Sequence, residues 1–296
     1  MYALASVVDR LPRRVESDTA PFWRGPDADR VVDLVSRASA RNPGLAEDLR
    51  RGARLLGAAA VEQRRASRAD PSFVVTLDIP AAGGRLLQRV GPPDAAVLVV
   101  LVPGVGTDRG DRARLRRDAE RLWLAAADRV DLTDSVAVVA WLGYDPPDVA
   151  VGAIDVGPAA EGARSLTAWV ATARRAGARR VTLVGHSYGG VLVGRAAAGG
   201  AAVDAVVQLG SPGSGSPGAV AEMSARGVEV RAVRAPGDPI GLVAGRLPGL
   251  FGEDAVGVVD DLPTDARGHS GYLSDPALLD AVAALAVGSR SSSRVR

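Results

Sequence analysis

Gly185-His186-Ser187-Tyr188-Gly189 fits the pattern G-x-S-x-G, and its flanks give it chemical meaning. The apolar stretch Arg179-Arg-Val-Thr-Leu-Val precedes it and a run of small residues follows, which predicts strand, tight turn and helix in succession. Such a turn strains the backbone of the central residue and tolerates only glycine where strand and helix approach. It presents the serine hydroxyl at the sheet's carboxyl edge, at the start of a helix whose dipole favours developing negative charge. A serine hydroxyl is a weak nucleophile until a base takes its proton. The chain holds two histidines. His186 is inside the turn, cannot fold back onto its neighbour's hydroxyl, and reads as a supporting residue. His269, in Arg267-Gly-His-Ser-Gly-Tyr, is left as the candidate base.

A third group must fix the imidazole tautomer and stabilise its cation. Asp238, in Ala235-Pro-Gly-Asp-Pro-Ile, follows an apolar run at 228–233 and lies between nucleophile and base, the order this type of turn carries. Asp260, Asp261 and Asp265 are rivals closer to His269 in sequence. The oxyanion of an acyl-transfer intermediate needs two preorganised donors. The backbone N–H of Tyr188 is one candidate. Val105 is the other, in Pro103-Gly-Val-Gly-Thr, where Gly104 and Gly106 let the backbone bend towards substrate. Trp141-Leu-Gly-Tyr-Asp-Pro-Pro ends another strand at the same edge, so Tyr144 and Asp145 are candidate pocket walls, with Asp155 a weaker one. Gly104 and Gly106 are counted with that pocket.

Other chemistries fail on inventory. The absence of cysteine removes disulfides, thiolate metal sites and thiol nucleophiles. Every basic side chain is Arg, so a P-loop lysine is impossible, and Arg109 breaks a G-x-G-x-x-G reading of the 104–109 glycines. There is no H-E-x-x-H, and no metal or organic cofactor is implied. The formal net charge is +2 with arginines scattered along the chain, which gives no sign of nucleic-acid binding. Pairs such as Arg13–Arg14, Arg64–Arg65 and Arg116–Arg117 read as solvated helix faces. No run approaches the roughly 18 apolar residues of a membrane span, and the first residues lack a signal-peptide pattern, so a cytoplasmic location is expected.

These groups need a scaffold that delivers them to one edge. Residues 1–70 read as a helical extension, with apolar positions such as Leu45, Leu49, Leu55 and Leu56 near helical spacing. From 71 to 288 strands alternate with helices. A hairpin over 73–79 and 85–90 comes first. Apolar runs follow at 96–102, 136–141, 181–184, 203–209, 228–233 and 255–259, and helices are predicted near 111–128, 159–176, 187–198 and 276–287. Alternation of this kind predicts a mostly parallel sheet with helices on both faces. The Ser/Arg-rich residues 289–296 read as a disordered tail.

Taken together and in order, VPGVGTD, WLGYDPP, GHSYGG, APGDPI and GHSGYL resemble an α/β-hydrolase family of uncharacterised proteins from high-GC bacteria, over about residues 72–287. The resemblance implies the α/β-hydrolase fold and Ser–Asp–His roles at Ser187, Asp238 and His269. The expected activity is hydrolysis of a small-molecule carboxylic ester or thioester through an acyl-enzyme. A catalytically idle binding or scaffold protein, or an acyltransferase or peptidase with the same three residues, stays open at this stage.

Overall fold

Uninterrupted apolar runs become strands only where both faces are covered, and the sheet is built on that rule. A computed structural model of the protein describes residues 76–81, 85–129, 135–147, 155–246, 249–259 and 261–288. They fall in the unit Val74–Arg296, distinct from a unit Met1–Phe73. The helical extension expected over 1–70 and the tail expected over 289–296 lie outside the described residues.

The strands are β1 Thr76–Ala81, β2 Arg85–Val90, β3 Val97–Val102, β4 Val136–Leu142, β5 Arg180–His186, β6 Ala205–Leu209 and β7 Glu229–Val233. The helices are α1 Arg112–Ala127, α2 Gly157–Arg175, α3 Tyr188–Ala198, α4 Ala219–Ala225, α5 Ile240–Arg246 and α6 Pro276–Val287. The sheet order is β1-β2-β4-β3-β5-β6-β7. The leading hairpin is antiparallel and joins β4 antiparallel, and every later pairing is parallel. Parallel pairing puts the carboxyl ends of β3, β4, β5, β6 and β7 on one edge, with Val102 opposite Gly185, His186 opposite Leu209 and Leu209 opposite Val233.

Residue alternation along β3 divides the core. Leu98, Val100 and Val102 face a cluster with Leu166 and Val170 of α2, Val191 and Leu192 of α3, and Met223 of α4. Val97, Val99 and Leu101 face Leu115, Leu122 and Trp123 of α1 and Leu278 and Val282 of α6. Each large apolar side chain removed from water in this way contributes about 1.5–3 kcal/mol. The Trp123 indole N–H also donates to Val136 O at 2.9 Å, so the ring is buried without an orphaned donor.

α6 begins where Asp275 accepts from the amides of Ala277 and Leu278, with Pro276 in its first turn, and it ends at Gly288 in the left-handed conformation. Arg180, at the start of β5, donates to Ala286 O and Leu285 O at 2.8 and 2.9 Å and satisfies the helix's last carbonyls.

One expected strand is absent. Ala255–Val259 forms a turn, with the amides of Val258 and Val259 both donating to Ala255 O. Gly257 takes φ +83° and Val258 is 62% exposed, so this apolar run bends away from the sheet. The chain touches the sheet again through a single parallel bridge between Asp261 and Ala232.

Candidate active site

The turn after β5 closes as its composition requires. Ser187 has φ 55° and ψ −127°, and among the described residues it is the sole non-glycine with positive φ. Holding a β-carbon there costs of order 1–3 kcal/mol, which the surrounding packing must supply. The neighbours are glycines because nothing larger fits. A β-carbon on Gly185 would stand 2.4 Å from Gly189 O, and one on Gly189 would stand 2.3 Å from Val102 O. Ser187 precedes the first turn of α3, where a serine hydroxyl ordinarily caps the helix amides. It makes no such bond. Its Oγ instead lies 2.8 Å from His269 Nε2.

The imidazole of His269 is held at its other nitrogen. Nδ1 lies 2.9 and 3.0 Å from the two carboxylate oxygens of Asp238. A carboxylate can only accept, so Nδ1 carries a proton, and in the neutral imidazole Nε2 is the acceptor that faces the serine hydroxyl. Asp238 is buried in the tight turn after β7, where it also accepts from the Ile240 amide at 2.8 Å and from the Tyr272 hydroxyl. Burial pushes its carboxyl up. The bonds from Tyr272, Ile240 and His269 outweigh burial and hold it below the usual carboxylate range. Burial, and next the bond to Asp238, push the Tyr272 phenol above its ordinary value, so Tyr272 stays a donor. The Tyr272 oxygen in turn accepts from the Ala235 amide at 2.9 Å. The sequence reading gives Tyr272 no role, although a tyrosine three residues after the candidate base is an available signal.

The rival acids stand elsewhere. Asp261 meets β7 through its backbone, the Asp265 amide donates to Asp275 at 2.6 Å, and Asp260 lies outside the described residues. Asp275 gathers the loop that carries His269: one oxygen accepts from Thr264 Oγ1 and the amides of Asp265 and Ala266, the other from Ala277 and Leu278. His186 supports the same loop. Its Nε2–H donates to His269 O at 2.8 Å, its ring lies 4.9 Å from the His269 ring, and burial drives its pKa down to about 4, so it is a neutral donor.

The loop after β3 packs directly on the serine. A β-carbon on Gly104 would be 2.7 Å from Ser187 Cβ. Among the described residues the amides of Val105 and Tyr188 have no hydrogen-bond partner, and Tyr188 opens α3. A cavity of about 420 Å³ opens over Ser187 and His269 and includes Gly104 and Val105 in its wall. Gly106, Tyr144 and Asp145 do not line it. Gly106 ties the loop down through its amide to Pro147 O at 3.1 Å. Tyr144 is buried beneath, donating to Pro103 O at 2.7 Å in a stack with Trp141 and Tyr188, because its ring has the bulk for the core and its hydroxyl finds a carbonyl there. Asp145 is exposed, and Asp155 takes the Tyr188 hydroxyl on its backbone carbonyl. The wall is completed instead by α1, through Arg114, Arg117, Asp118 and Arg121, and by Tyr272 and Leu273. Arg116 and Arg117 are both exposed on α1, as the sequence suggests, and Arg117 also lines the cavity.

Among the described residues no helix is long and apolar enough to cross a membrane. The chain is 31% identical over 225 residues to an uncharacterized protein of Mycobacterium tuberculosis, a match covering 67% of this chain and 33% of that protein. A second match, to an uncharacterized protein of Mycobacterium bovis, is 37% identical over 84 residues, 27% of this chain and 32% of the other. The chain therefore spans about a third of the length of these curated relatives. Similar solved structures include a hyperthermophilic esterase from Pyrobaculum calidifontis, at 17% identity and TM-score 0.45 over 77% of this chain and 88% of that one. A dienelactone hydrolase from Anabaena variabilis aligns at 20% identity and TM-score 0.43 over 73% of this chain and 96% of that one. The sequence profile of a family described as alpha/beta hydrolase matches residues 80–247, a span that runs from the first hairpin through Ser187 and Asp238 to α5. With more than half of its residues so matched, the chain belongs to the alpha/beta-hydrolase family.

Proposed function

We propose that the protein is a serine hydrolase of carboxylic esters or thioesters that works through an acyl-enzyme on Ser187. The observation that carries this reading is the unbroken line of contacts from Asp238 through His269 to Ser187, at 2.9 Å and 2.8 Å, beside the open cavity.

Ser187 Oγ attacks the substrate carbonyl carbon while His269 Nε2 takes the hydroxyl proton. The carbonyl π electrons move to oxygen, and the amides of Val105 and Tyr188 receive the oxyanion, aided by the positive end of α3. Asp238 stabilises the imidazolium without itself taking the proton. The tetrahedral intermediate collapses, the bond to the alcohol or thiol breaks, and His269 returns its proton to that leaving group. A water molecule, deprotonated by the same nitrogen, then attacks the acyl-enzyme. Collapse of the second intermediate frees the carboxylic acid and restores the Ser187 hydroxyl.

A p-nitrophenyl ester series on the parent protein and on Ser187→Ala tests the reading. The expected result is a loss of at least about 10³-fold in kcat/KM, the order lost when one member of such a set is removed. Equal turnover by both proteins would overturn it.

A further inference from the structure

The wall facing Ser187 and His269 is polar and positively charged. Arg114, Arg117 and Arg121 stand at i, i+3 and i+7 along α1, so one stripe of that helix brings all three arginines to the cavity wall. One carboxylate of the wall, Asp118, answers them. It accepts from Arg121 at 3.2 Å and lies 3.8 Å from Arg114, which is also bound to Asp111 at 3.0 Å and to Thr107 Oγ1 at 3.3 Å. Arg117 has no hydrogen-bond partner among the described residues. Among the described residues Val105 and Leu273 are the aliphatic side chains of the wall, which is too few to shelter a long acyl chain.

We infer that the substrate is an acidic ester or thioester, whose carboxylate or phosphate is held by Arg117 and Arg121 while its carbonyl lies at Ser187. The inference rests on the hydrolase reading above and names its substrate class. A guanidinium suits either oxyanion, since its planar set of donors matches two acceptor oxygens at once. The partly paired Arg114 and Arg121 leave donors to spare, and Arg117 brings all of its own. A neutral ester of equal length would leave the three guanidinium groups with only Asp111 and Asp118 to answer them, a surplus of one positive charge beside the cavity.

The test compares kcat/KM for 4-nitrophenyl hemiglutarate and its neutral counterpart, 4-nitrophenyl pentanoate, in the parent protein, in Arg117→Gln and in the double variant Arg117→Gln/Arg121→Gln. The expected anionic-to-neutral ratio is at least about tenfold in the parent, and it falls by about tenfold or more in the double variant. Both positions are exposed on α1, so the glutamines are compatible with the fold. Competition by glutarate and by inorganic phosphate, run in parallel, shows which oxyanion the site prefers. Calorimetric binding of glutarate and of phosphate to Ser187→Ala separates this inference from the catalytic reading, because it reports the anion site whether or not residue 187 is the nucleophile. A ratio near one with no binding of either anion overturns the inference and leaves Ser187 catalysis untouched. Anion binding that is lost in the double variant, with hydrolysis indifferent to Ser187→Ala, sustains the anion site and overturns the catalytic reading.

Discussion

Replacing Tyr272 with Phe keeps the buried ring and deletes one oxygen that serves two partners. The hydroxyl donates to a carboxylate oxygen of Asp238 and accepts from the Ala235 amide. A hydrogen bond to a charged group contributes about 1.5–3 kcal/mol, and a buried amide left without an acceptor costs about 1–3 kcal/mol. The two losses share one atom and do not simply add, so a destabilisation of about 2–4 kcal/mol at pH 7 is expected. Its pH dependence is distinctive. Asp238 is held below the ordinary carboxylate value, so its contribution to stability is complete above about pH 4 and disappears as pH falls through the lower folded value. The Tyr272 bond is one of the causes of that depression. Its removal raises the folded value, and the deficit of the variant is greatest near neutrality and shrinks in acid. Urea unfolding of parent and variant from pH 7 down to pH 3 measures this. A difference below about 0.5 kcal/mol at pH 7, or one that grows on acidification, would refute the reasoning.

Asp238→Asn puts an amide opposite Nδ1, favours the wrong imidazole tautomer, and is expected to lower kcat by about 10³–10⁴-fold with little change in KM, read with any ester that the parent turns over. His186 titrates near pH 4 in the folded protein against about 6.5 unfolded, because burial disfavours its cation. The unfolded chain therefore binds the extra proton between these values, and stability that is complete above about pH 6.5 is lost towards pH 4. The parent is expected to lose roughly 2 kcal/mol more than His186→Gln between pH 7.5 and pH 5, measured by denaturant unfolding; equal losses would contradict a buried neutral imidazole.

Much of this site could be read from the chain because its constraints are local. Gly185 and Gly189 announce a turn too tight for a β-carbon, and the position of Asp238 follows from a turn placed directly after an apolar strand. With two histidines in the chain, His269 follows by subtraction as the candidate base. What escaped depends on rotation and on distant neighbours. The spacing of Arg114, Arg117 and Arg121 fixes a common stripe of α1, but only the docking of Leu115, Leu122 and Trp123 onto the sheet turns that stripe towards the serine. Tyr144 occupies the loop expected for a pocket wall, yet it points inward, where Pro103 O offers an acceptor. The apolar run at 255–259 has the composition of a strand, and a single left-handed glycine in its middle folds it into a turn.

The carboxylate of Asp275 binds both the descending and the returning arms of the segment that bears His269, at Thr264–Ala266 on one side and Ala277–Leu278 on the other. That knot makes residues 264–275 a ring closed at its neck, so the closure entropy of the loop is met during folding and not when a ligand arrives. Inside the ring His269 and Tyr272 are fixed by their bonds to Asp238, while Ser270 and Ser274 are exposed on the cavity wall and can be exchanged to suit new ligands with the sheet and α6 left in place.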